Sequence, residues 1–468
     1  MHKLKQEGLT FDDVLVLPKK SNVSLEDVCL KTNLTKDIKL NAPIMSSPMG
    51  TVTEARMAIA IARHGGIGVI HKDMPIEKQA LEVDKVKRSE FGVIKNPISI
   101  NPNQYISEAN ELMAKYRISG VPVTEYGKLV GIITNRDLSF EPDVNKKIYE
   151  VMTRENLLTA SPGISLEEAK KILATRKVEK LPLVDDNGDL VGLITTKDIS
   201  KTSKYPNSAK DPDGCLLAGA AVAANDPELL RRVAALVEVQ VDIIVLEDLG
   251  GHTNSIVSSL KQVKSQFPDL AVIAGNVATK EATLELIEAG ADAIRVGIGS
   301  GSVSNIGIFS GVGMPQITAV YNCSEAAKPH GIPIISDGGI RFAGDIVKAI
   351  AAGADVVMMG SMFAGCDESP CPLELYKGRK YKIYKAVRES SKLDRVEGRV
   401  AYKGAVSDIL AELLVGIRSG MCYSGSPTVK DLVETGEFTK LSTASFNESM
   451  PYNSQITREA TSYSTFFY

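Results

Sequence analysis

Three apolar, strand-like segments that are each followed by glycine constrain the fold of this chain more than any other feature. RVGIGSGSVSNIGIFSGVGMPQ occupies residues 295–316, IISDGGIR occupies residues 334–341, and VVMMGS occupies residues 356–361. Glycine allows a positive φ and a close approach of the backbone to a ligand, and such loops present N–H groups and carbonyls to phosphates or cations. One glycine-rich loop by itself is equally consistent with a flexible turn. Three of them, at the spacing of consecutive βα units, predict one phosphate-binding rim.

Apolar runs that indicate buried strands alternate with amphipathic helical stretches along most of the chain. VDIIVLED, LAVIAGNV and ADAIRVGIG are such runs. Continuous apolar strands between helices are typical of parallel sheets that are buried on both faces. In a chain of 468 residues we expect such strand–helix units to close into a (β/α)₈ TIM barrel, which is an α/β fold. In TIM barrels the reacting groups lie at the carboxyl ends of the strands.

Composition and charge exclude several functional classes. The net charge is −3 and 24% of the residues are charged, which gives no electrostatic basis for binding nucleic acid or an acidic membrane. We expect no transmembrane helix and no signal peptide, and therefore a cytoplasmic protein. The six cysteines are scattered without a CxxC pair, which favours free thiols over disulfides.

An internal repeat interrupts the barrel pattern. SGVPVTEYGKLVGIITNRDL starts at residue 119 and EKLPLVDDNGDLVGLITTKDI starts at residue 179. Each copy reads as strand, glycine turn, strand, and then a T-x-x-D sequence that opens a helix. The repeat resembles a tandem CBS (Bateman) module inserted in a barrel loop.

Over nearly its whole length the chain resembles the IMP dehydrogenase / GMP reductase family. The matching segments include GLTFDDVL (8–15), TVTEARMAIAIARHGGIGVIH (51–71), AGNVAT (274–279), GVG–PQIT (311–318), DGGIR (337–341) and GRKYKIY (378–384). The resemblance implies a TIM barrel with its first part at 1–92 and its second at 204–468, with a mobile flap at 376–404. The CBS module would occupy 93–203, with halves at 93–148 and 149–203.

The resemblance also implies an activity and a set of site residues. In the family a cysteine thiolate attacks C2 of the purine, hydride passes to NAD, and water hydrolyses the covalent thioimidate, with K⁺ bound nearby. Carried over position by position, the substrate nucleotide would contact Ser302, Asp337, Gly338, Gly339, Gly360, Ser361, Tyr384 and Asp394. The cofactor would contact Glu247, Asp248, Asn276, Arg295, Gly297 and Gly299. The monovalent cation would be held by backbone at Gly299, Gly301 and Ser304.

Several family positions carry other residues in this chain. The nucleophilic cysteine is replaced by Ser304, whose hydroxyl has no adjacent His, Asp or Glu to activate it and is expected to bond the loop backbone. Cys323, expected at the start of the next helix, cannot replace it. Ile306 and Gly307 stand where the family has threonine and arginine, and the shortened flap lacks the Arg-Tyr pair that activates water. Asp394 is one methylene shorter than the family's purine-reading acid.

Because of these departures, two predictions of the function have to be considered. We expect a protein that binds a purine nucleotide at the barrel rim and lacks, or strongly loses, NAD-dependent oxidation of IMP to XMP. The alternative is a functional IMP dehydrogenase of guanine nucleotide biosynthesis, or an enzyme of another purine nucleotide reaction. The resemblance further implies a homotetramer or octamer.

The inserted repeat carries a second binding prediction. Asp137 and Asp198 match the ribose-binding acids of adenosine-nucleotide sites in CBS modules, with Thr134 and Thr195 near the phosphates. Each aspartate could instead only cap its helix. We expect an adenine nucleotide at one or both sites.

Overall fold

The computed structural model describes residues 6–89, 94–95, 97–116, 118–139, 141–248, 251–302, 304, 306–385 and 397–449. Its strands, in chain order, are β1 (Val14–Val16), β2 (Thr32–Asn33), β3 (Lys39–Leu40), β4 (Ile44–Ser46), β5 (Ile67–Ile70), β6 (Ile94–Lys95), β7 (Gly120–Glu125), β8 (Lys128–Thr134), β9 (Lys180–Val184), β10 (Leu190–Thr195), β11 (Ala218–Ala223), β12 (Ile243–Glu247), β13 (Ala271–Val277), β14 (Ala293–Val296), β15 (Ile334–Asp337), β16 (Val356–Met359), β17 (Leu373–Tyr376), β18 (Arg379–Lys385), β19 (Glu397–Ala401) and β20 (Phe438–Lys440).

Helices separate most of these strands. They are α1 (Ala55–Arg63), α2 (Ile76–Lys87), α3 (Ile106–Tyr116), α4 (Asn135–Ser139), α5 (Leu166–Arg176), α6 (Thr196–Lys204), α7 (Leu229–Glu238), α8 (Asn254–Gln266), α9 (Lys280–Glu288), α10 (Ile306–Ser310), α11 (Gln316–Ala327), α12 (Ala343–Ala351), α13 (Ser361–Ala364), α14 (Val406–Ser424), α15 (Val429–Thr435) and α16 (Thr443–Glu448). Among the described residues, none of these helices has the length and apolarity that crossing a membrane requires.

Eight parallel strands close into a barrel in the order β11-β12-β13-β14-β15-β16-β4-β5. Their side chains are buried almost throughout, because one face points into the barrel and the other meets the surrounding helices. The interior is filled by residues such as Met45, Val69, Val245, Ile273 and Met358. The predicted (β/α)₈ fold is therefore confirmed.

Threonine caps set the start of two helices at the carboxyl ends of barrel strands. The Thr253 hydroxyl accepts from the N–H of Ile256 at the start of α8, and the Thr279 hydroxyl accepts from the N–H of Ala282 at the start of α9. Each cap satisfies a backbone donor that the helix cannot. The first turns of both helices are thereby fixed at the rim.

The chain divides into two compact units. One contains the barrel and comprises the chain up to Ser89, Asn207–Asp211 and the chain from Leu216 onwards. The other comprises Glu90–Pro206 and Pro212–Cys215. In this inserted unit each sequence repeat forms an antiparallel strand pair followed by a helix: β7, β8 and α4, then β9, β10 and α6. Two small apolar clusters, one around Val121 and Ile133 and one around Leu181 and Ile194, form its cores.

The predicted flap region is only partly described. β17, β18 and β19 form a three-stranded antiparallel sheet in which Tyr384 pairs with Gly398. Asp394 lies outside the described residues, as do all residues from 386 to 396.

Candidate functional site

Asp337, the last residue of β15, is the centre of a polar cluster at the carboxyl end of the barrel. Its Oδ2 accepts from Arg295 Nε at 2.9 Å, from Asn276 Nδ2 at 2.9 Å, and lies 2.8 Å from Arg295 Nη2. Arg295 belongs to β14 and Asn276 to β13, so three neighbouring strands deliver these groups. The other oxygen, Oδ1, has no hydrogen bond to a described residue, which leaves one carboxylate oxygen available to a ligand.

Glu247, the last residue of β12, extends the cluster. Its Oε1 forms an ion pair with Arg295 Nη1, and its Oε2 accepts from Lys72 Nζ at 3.0 Å. Burial alone raises the pKa of Glu247, but Lys72 and Arg295 outweigh that effect and hold the pKa below its ordinary value. The carboxyl group is therefore ionised at neutral pH.

The turn after β14 packs tightly against the turn after β15. A Cβ on Gly297 would lie 2.1 Å from the carbonyl oxygen of Asp337, so only glycine fits where these two turns meet. Gln316 joins them further, because its Nε2 donates to the Val296 carbonyl at 2.9 Å and to the Asp337 carbonyl at 3.2 Å. Gln316 is only 3% exposed, so these hydrogen bonds are shielded from water.

A cavity of about 450 Å³ opens beside these turns. Four predicted site residues line it: Gly299, Ser302, Gly339 and Ser361. Phe11 and Arg341 form part of its wall. The cavity thus brings together residues from all three glycine clusters that the sequence singled out.

Tyr384 of β18 closes the other side of these turns. Its hydroxyl donates to Met49 Sδ at 3.5 Å. A Cβ on Gly360 would lie 2.8 Å from the Tyr384 hydroxyl, so the glycine makes room for the ring. Burial raises the pKa of Tyr384 to about 12, so the phenol keeps its proton and can donate a hydrogen bond.

Ser304 differs from its predicted environment. Its backbone N–H donates to the Gly301 carbonyl at 2.9 Å, but its hydroxyl is buried and has no hydrogen-bond partner among the described residues. The expected bond from this hydroxyl to the loop backbone is therefore not found there. Gly299 and Gly301 lie in the same turn, and the Gly301 carbonyl is already used once.

Cys323 cannot supply the missing thiolate, although the prediction of its position was wrong. It lies inside α11 rather than at the start of that helix, and its thiol donates to the Thr279 carbonyl at 3.7 Å. Burial raises the pKa of Cys323 to about 11, which keeps the thiol protonated. All six cysteines are unpaired, in agreement with the sequence.

Two residues of the site were not predicted from the sequence. Lys72 follows β5 and reaches Glu247, and Gln316 starts α11 and joins the turns after β14 and β15. A polar residue directly after an apolar strand was the only available signal for Lys72. Nothing in the sequence marked Gln316, whose contacts arise from packing.

The predicted nucleotide residues of the inserted unit have a structural role in the first repeat. Asp137 Oδ2 accepts from the Thr134 N–H at 2.8 Å and from the Thr134 hydroxyl at 2.7 Å, at the start of α4. Thr195 ends β10 and Asp198 lies in α6. The side chain of Asp198 is outside the described part of the structure.

Comparison with known proteins shows the family to which this chain belongs. The model of the IMP dehydrogenase / GMP reductase domain matches residues 8–452. The chain belongs to the IMP dehydrogenase / GMP reductase family. It is 51% identical over 482 residues to an inosine-5'-monophosphate dehydrogenase of Halalkalibacterium halodurans, covering 99% of both chains. It is 50% identical to that of Bacillus subtilis, covering 98% of this chain and 99% of the other.

Solved structures of the family have the same fold. A GMP reductase from Trypanosoma brucei in complex with guanosine 5'-monophosphate superposes with a TM-score of 0.89 at 36% identity, covering 97% of this chain and 99% of that chain. A GMP reductase from the same organism in complex with guanosine 5'-triphosphate gives a TM-score of 0.80 at 35% identity, covering 94% of this chain and 99% of that chain.

Proposed function

We propose that this protein binds a purine nucleoside 5'-monophosphate, IMP or a close relative, at the rim of the barrel. The observation that carries the proposal is the state of Asp337. One of its oxygens takes three N–H contacts from Arg295 and Asn276, and the other has no hydrogen bond to a described residue. A carboxylate held in this way is oriented in advance to accept from the hydroxyls of a ribose.

The phosphate of this ligand would lie in the cavity beside Ser302, Gly339 and Ser361. Backbone N–H groups in consecutive turns form concave anion sites, and serine hydroxyls add further donors. The protonated Tyr384 hydroxyl, which donates to Met49 Sδ, would turn its single proton to the phosphate. The T. brucei GMP reductase that holds guanosine 5'-monophosphate supports this class of ligand.

The comparisons favour a working enzyme of the family. Relatives that are about half identical over almost their full length are named inosine-5'-monophosphate dehydrogenase, and they favour NAD-dependent oxidation of IMP with a monovalent cation nearby. Nothing in these comparisons indicates that the activity is lost. The Gly301 carbonyl keeps a second lone pair for a cation, since Ser304 N–H uses only one.

The residue at position 304 favours a second form of the function, a nucleotide-binding protein with strongly impaired oxidation. A serine hydroxyl is a poor nucleophile unless a base removes its proton. No base contacts Ser304 among the described residues, and its hydroxyl has no hydrogen-bond partner there. Loss of general-base assistance alone typically costs ~10²–10⁴-fold in rate.

The experiment that tests the proposal measures binding and turnover on the same preparation. We expect IMP to bind in isothermal titration calorimetry, and Asp337→Asn to weaken it by ~10-fold or more, because a hydrogen bond to a charged group is lost. Asp269→Asn, an exposed aspartate at the opposite end of the barrel, is the matched control. NADH absorbance then separates the two forms: a rate typical of IMP dehydrogenases supports the first, and a rate at least ~100-fold lower supports the second. Absence of IMP and GMP binding would refute the proposal.

We also propose that the inserted unit binds an adenine nucleotide between its repeats. The Lys180 side chain of the second repeat is 8% exposed, and its Nζ donates to the Ser119 hydroxyl of the first repeat at 2.8 Å. Burial lowers the pKa of Lys180, and the positive charges of Lys197 and Arg136 lower it further against the opposing effect of Glu179 and Asp137. A phosphate group between the repeats would pair with these three cations. Assembly into a homotetramer or octamer also remains a proposal.

A further inference from the structure

The cavity beside the turns after β14 and β15 has one cation and one anion in its wall. Among the described residues that line it, only Arg341 and Asp12 carry a charge, and their side chains form an ion pair. The other lining residues, such as Ser302 and Ser361, are uncharged. The positive charge that this wall can offer to an anionic ligand therefore depends on how firmly Asp12 holds Arg341.

Packing fixes the segment that carries Asp12 beside the turn after β15. Its neighbour Phe11 is 3% exposed, and a Cβ on Gly339 would lie 3.1 Å from the Phe11 ring, so the ring rests directly on this turn. The Phe11 carbonyl also accepts from Lys348 Nζ of α12 at 2.8 Å. Asp12 is therefore held at the mouth of the cavity by contacts that do not involve its own carboxylate.

The backbone of Arg341 is fixed from the other side by Asp345 of α12. Asp345 Oδ2 accepts from the Arg341 N–H at 2.9 Å and from the Phe342 N–H at 3.0 Å, and the residue is 2% exposed. The side chains of Arg341 and Asp12, by contrast, are 40% and 38% exposed. Ion pairs this exposed contribute little, because water screens them, so a ligand can separate the two charges at small cost.

We infer that Arg341 recognises the 5'-phosphate of the bound nucleotide, and that Asp12 is the internal anion that the phosphate displaces. The inference deepens the proposed function and rests on it. A guanidinium presents parallel N–H groups that match two phosphate oxygens, and a phosphate carries more negative charge than a carboxylate. Serine hydroxyls and backbone N–H groups are neutral donors, so Arg341 supplies the charge that favours a nucleotide over a nucleoside.

The two residues of the pair should then act in opposite directions. Arg341 attracts the phosphate, whereas Asp12 both holds the guanidinium and repels the phosphate by its own charge. Removing the charge of Asp12 should strengthen binding of the nucleotide, and removing the charge of Arg341 should weaken it. A gain in affinity cannot come from a damaged fold, so the Asp12 variant tests the inference even if the Arg341 variant folds poorly.

The test compares IMP with inosine, which lacks the phosphate, in the full-length protein. Isothermal titration calorimetry measures IMP directly and inosine by its displacement of IMP. We expect Arg341→Gln to weaken IMP by ~10-fold or more, the effect of hydrogen bonds to a charged group, and to leave inosine unchanged. Asp12→Asn should tighten IMP by ~2–5-fold, the effect of an exposed charge pair, and also leave inosine unchanged. Arg231→Gln, an exposed arginine on α7, is the matched control and should change neither ligand.

Two further variants sharpen the outcome. Arg341→Lys keeps the charge but loses the paired N–H groups, so its affinity for IMP should lie between those of wild type and Arg341→Gln. Asp12→Asn should gain less in the Arg341→Gln background, where no guanidinium is released. The inference is overturned if Arg341→Gln weakens IMP and inosine equally, or if Asp12→Asn fails to tighten IMP. Failure of wild type to bind IMP at all would instead refute the proposed function.

Discussion

At the scale of single residues, Ser304 has a polar side chain in surroundings that give its hydroxyl no hydrogen bond to a described residue. Its hydroxyl is buried without a hydrogen-bond partner among the described residues, which is costly for a polar group that has no catalytic or ligand contact. A bound ligand could accept this donor. The neighbouring Ile306 and Gly307 leave no side chain of the loop that could activate the hydroxyl, so the residue is better suited to contact a nucleotide than to attack it.

Replacing Ser304 with cysteine tests whether the nucleophile alone limits oxidation. We expect iodoacetamide to alkylate the new thiol of Ser304→Cys and IMP to slow this alkylation, because position 304 lies in the turn after β14, beside the proposed nucleotide site. We also expect NADH formation to stay at least ~100-fold below that of a cysteine-bearing IMP dehydrogenase, since a general base is still missing. Alkylation is followed by mass spectrometry, with Ser255→Cys on α8 as a control thiol that IMP should not protect. A rate within tenfold of such an enzyme would show that the remaining differences matter little.

At the scale of elements, three aspartates repeat one contact at the amino ends of the barrel strands. Asp242 accepts from the Ala218 N–H at 2.7 Å, Asp292 from the Val272 N–H at 2.7 Å, and Asp355 from the Ile334 N–H at 2.9 Å. Each aspartate immediately precedes its own strand and joins it to the start of a neighbouring strand. The first two aspartates also form ion pairs with lysines: Asp242 pairs with Lys87, and Asp292 pairs with Lys264.

Asp355 has no ion-pair partner among the described residues, and burial raises its pKa to about 6. A carboxyl whose pKa is higher in the folded state stabilises the fold while protonated, and this stabilisation is lost as the pH rises from about 4 through 6. The shift from 3.8 to about 6 corresponds to ~3 kcal/mol.

We therefore expect the free energy of unfolding of Asp355→Asn, measured relative to that of wild type, to rise by up to ~3 kcal/mol as the pH goes from 4 to 7.5. The asparagine can still accept from the Ile334 N–H but never ionises. Urea denaturation at the two pH values measures the difference, with Asp269→Asn as an exposed control. An identical difference between wild type and Asp355→Asn at both pH values would contradict the assigned pKa.

At the scale of the whole molecule, the two units have separate cores and separate predicted ligands. The barrel unit carries the proposed nucleotide site around Asp337. The inserted unit has its own apolar clusters, and Lys180 joins its two repeats. In its first repeat Asp137 caps α4, so the structure gives this residue a stabilising role whether or not a nucleotide binds.

We expect ATP, ADP or AMP to raise the melting temperature of the full-length protein through the inserted unit. A ligand present at ~100 times its Kd stabilises the state that binds it by roughly 2.7 kcal/mol. Lys180→Met and Asp198→Ala should reduce the shift caused by the nucleotide. Asp137→Ala should also lower the melting temperature without nucleotide, because it removes the cap. Asp186→Ala, an exposed turn residue, should change neither value. An unchanged melting curve in millimolar ATP, ADP and AMP would refute this prediction.

Sequence alone determined the fold class and predicted the position of the site along the chain. Buried β-branched runs that alternate with helices have one common solution, the closed parallel barrel, and glycines at the strand ends mark where turns meet closely. The confirmed barrel and the cavity lined by Ser302, Gly339 and Ser361 follow from such local rules. The cytoplasmic location and the limits of the inserted module stay predictions of the sequence.

Only the tertiary structure decided how the charges of the site are used. Lys72, Glu247, Arg295 and Asp337 are spread over the chain, and their pairing depends on which strands are neighbours and how far each side chain reaches. From sequence, Glu247 and Asp337 are both acids at strand ends and look equivalent. In the folded barrel Arg295 and Lys72 contact the two oxygens of Glu247, whereas Oδ1 of Asp337 has no hydrogen bond to a described residue. These contacts depend on distances between side chains, which no sequence pattern contains.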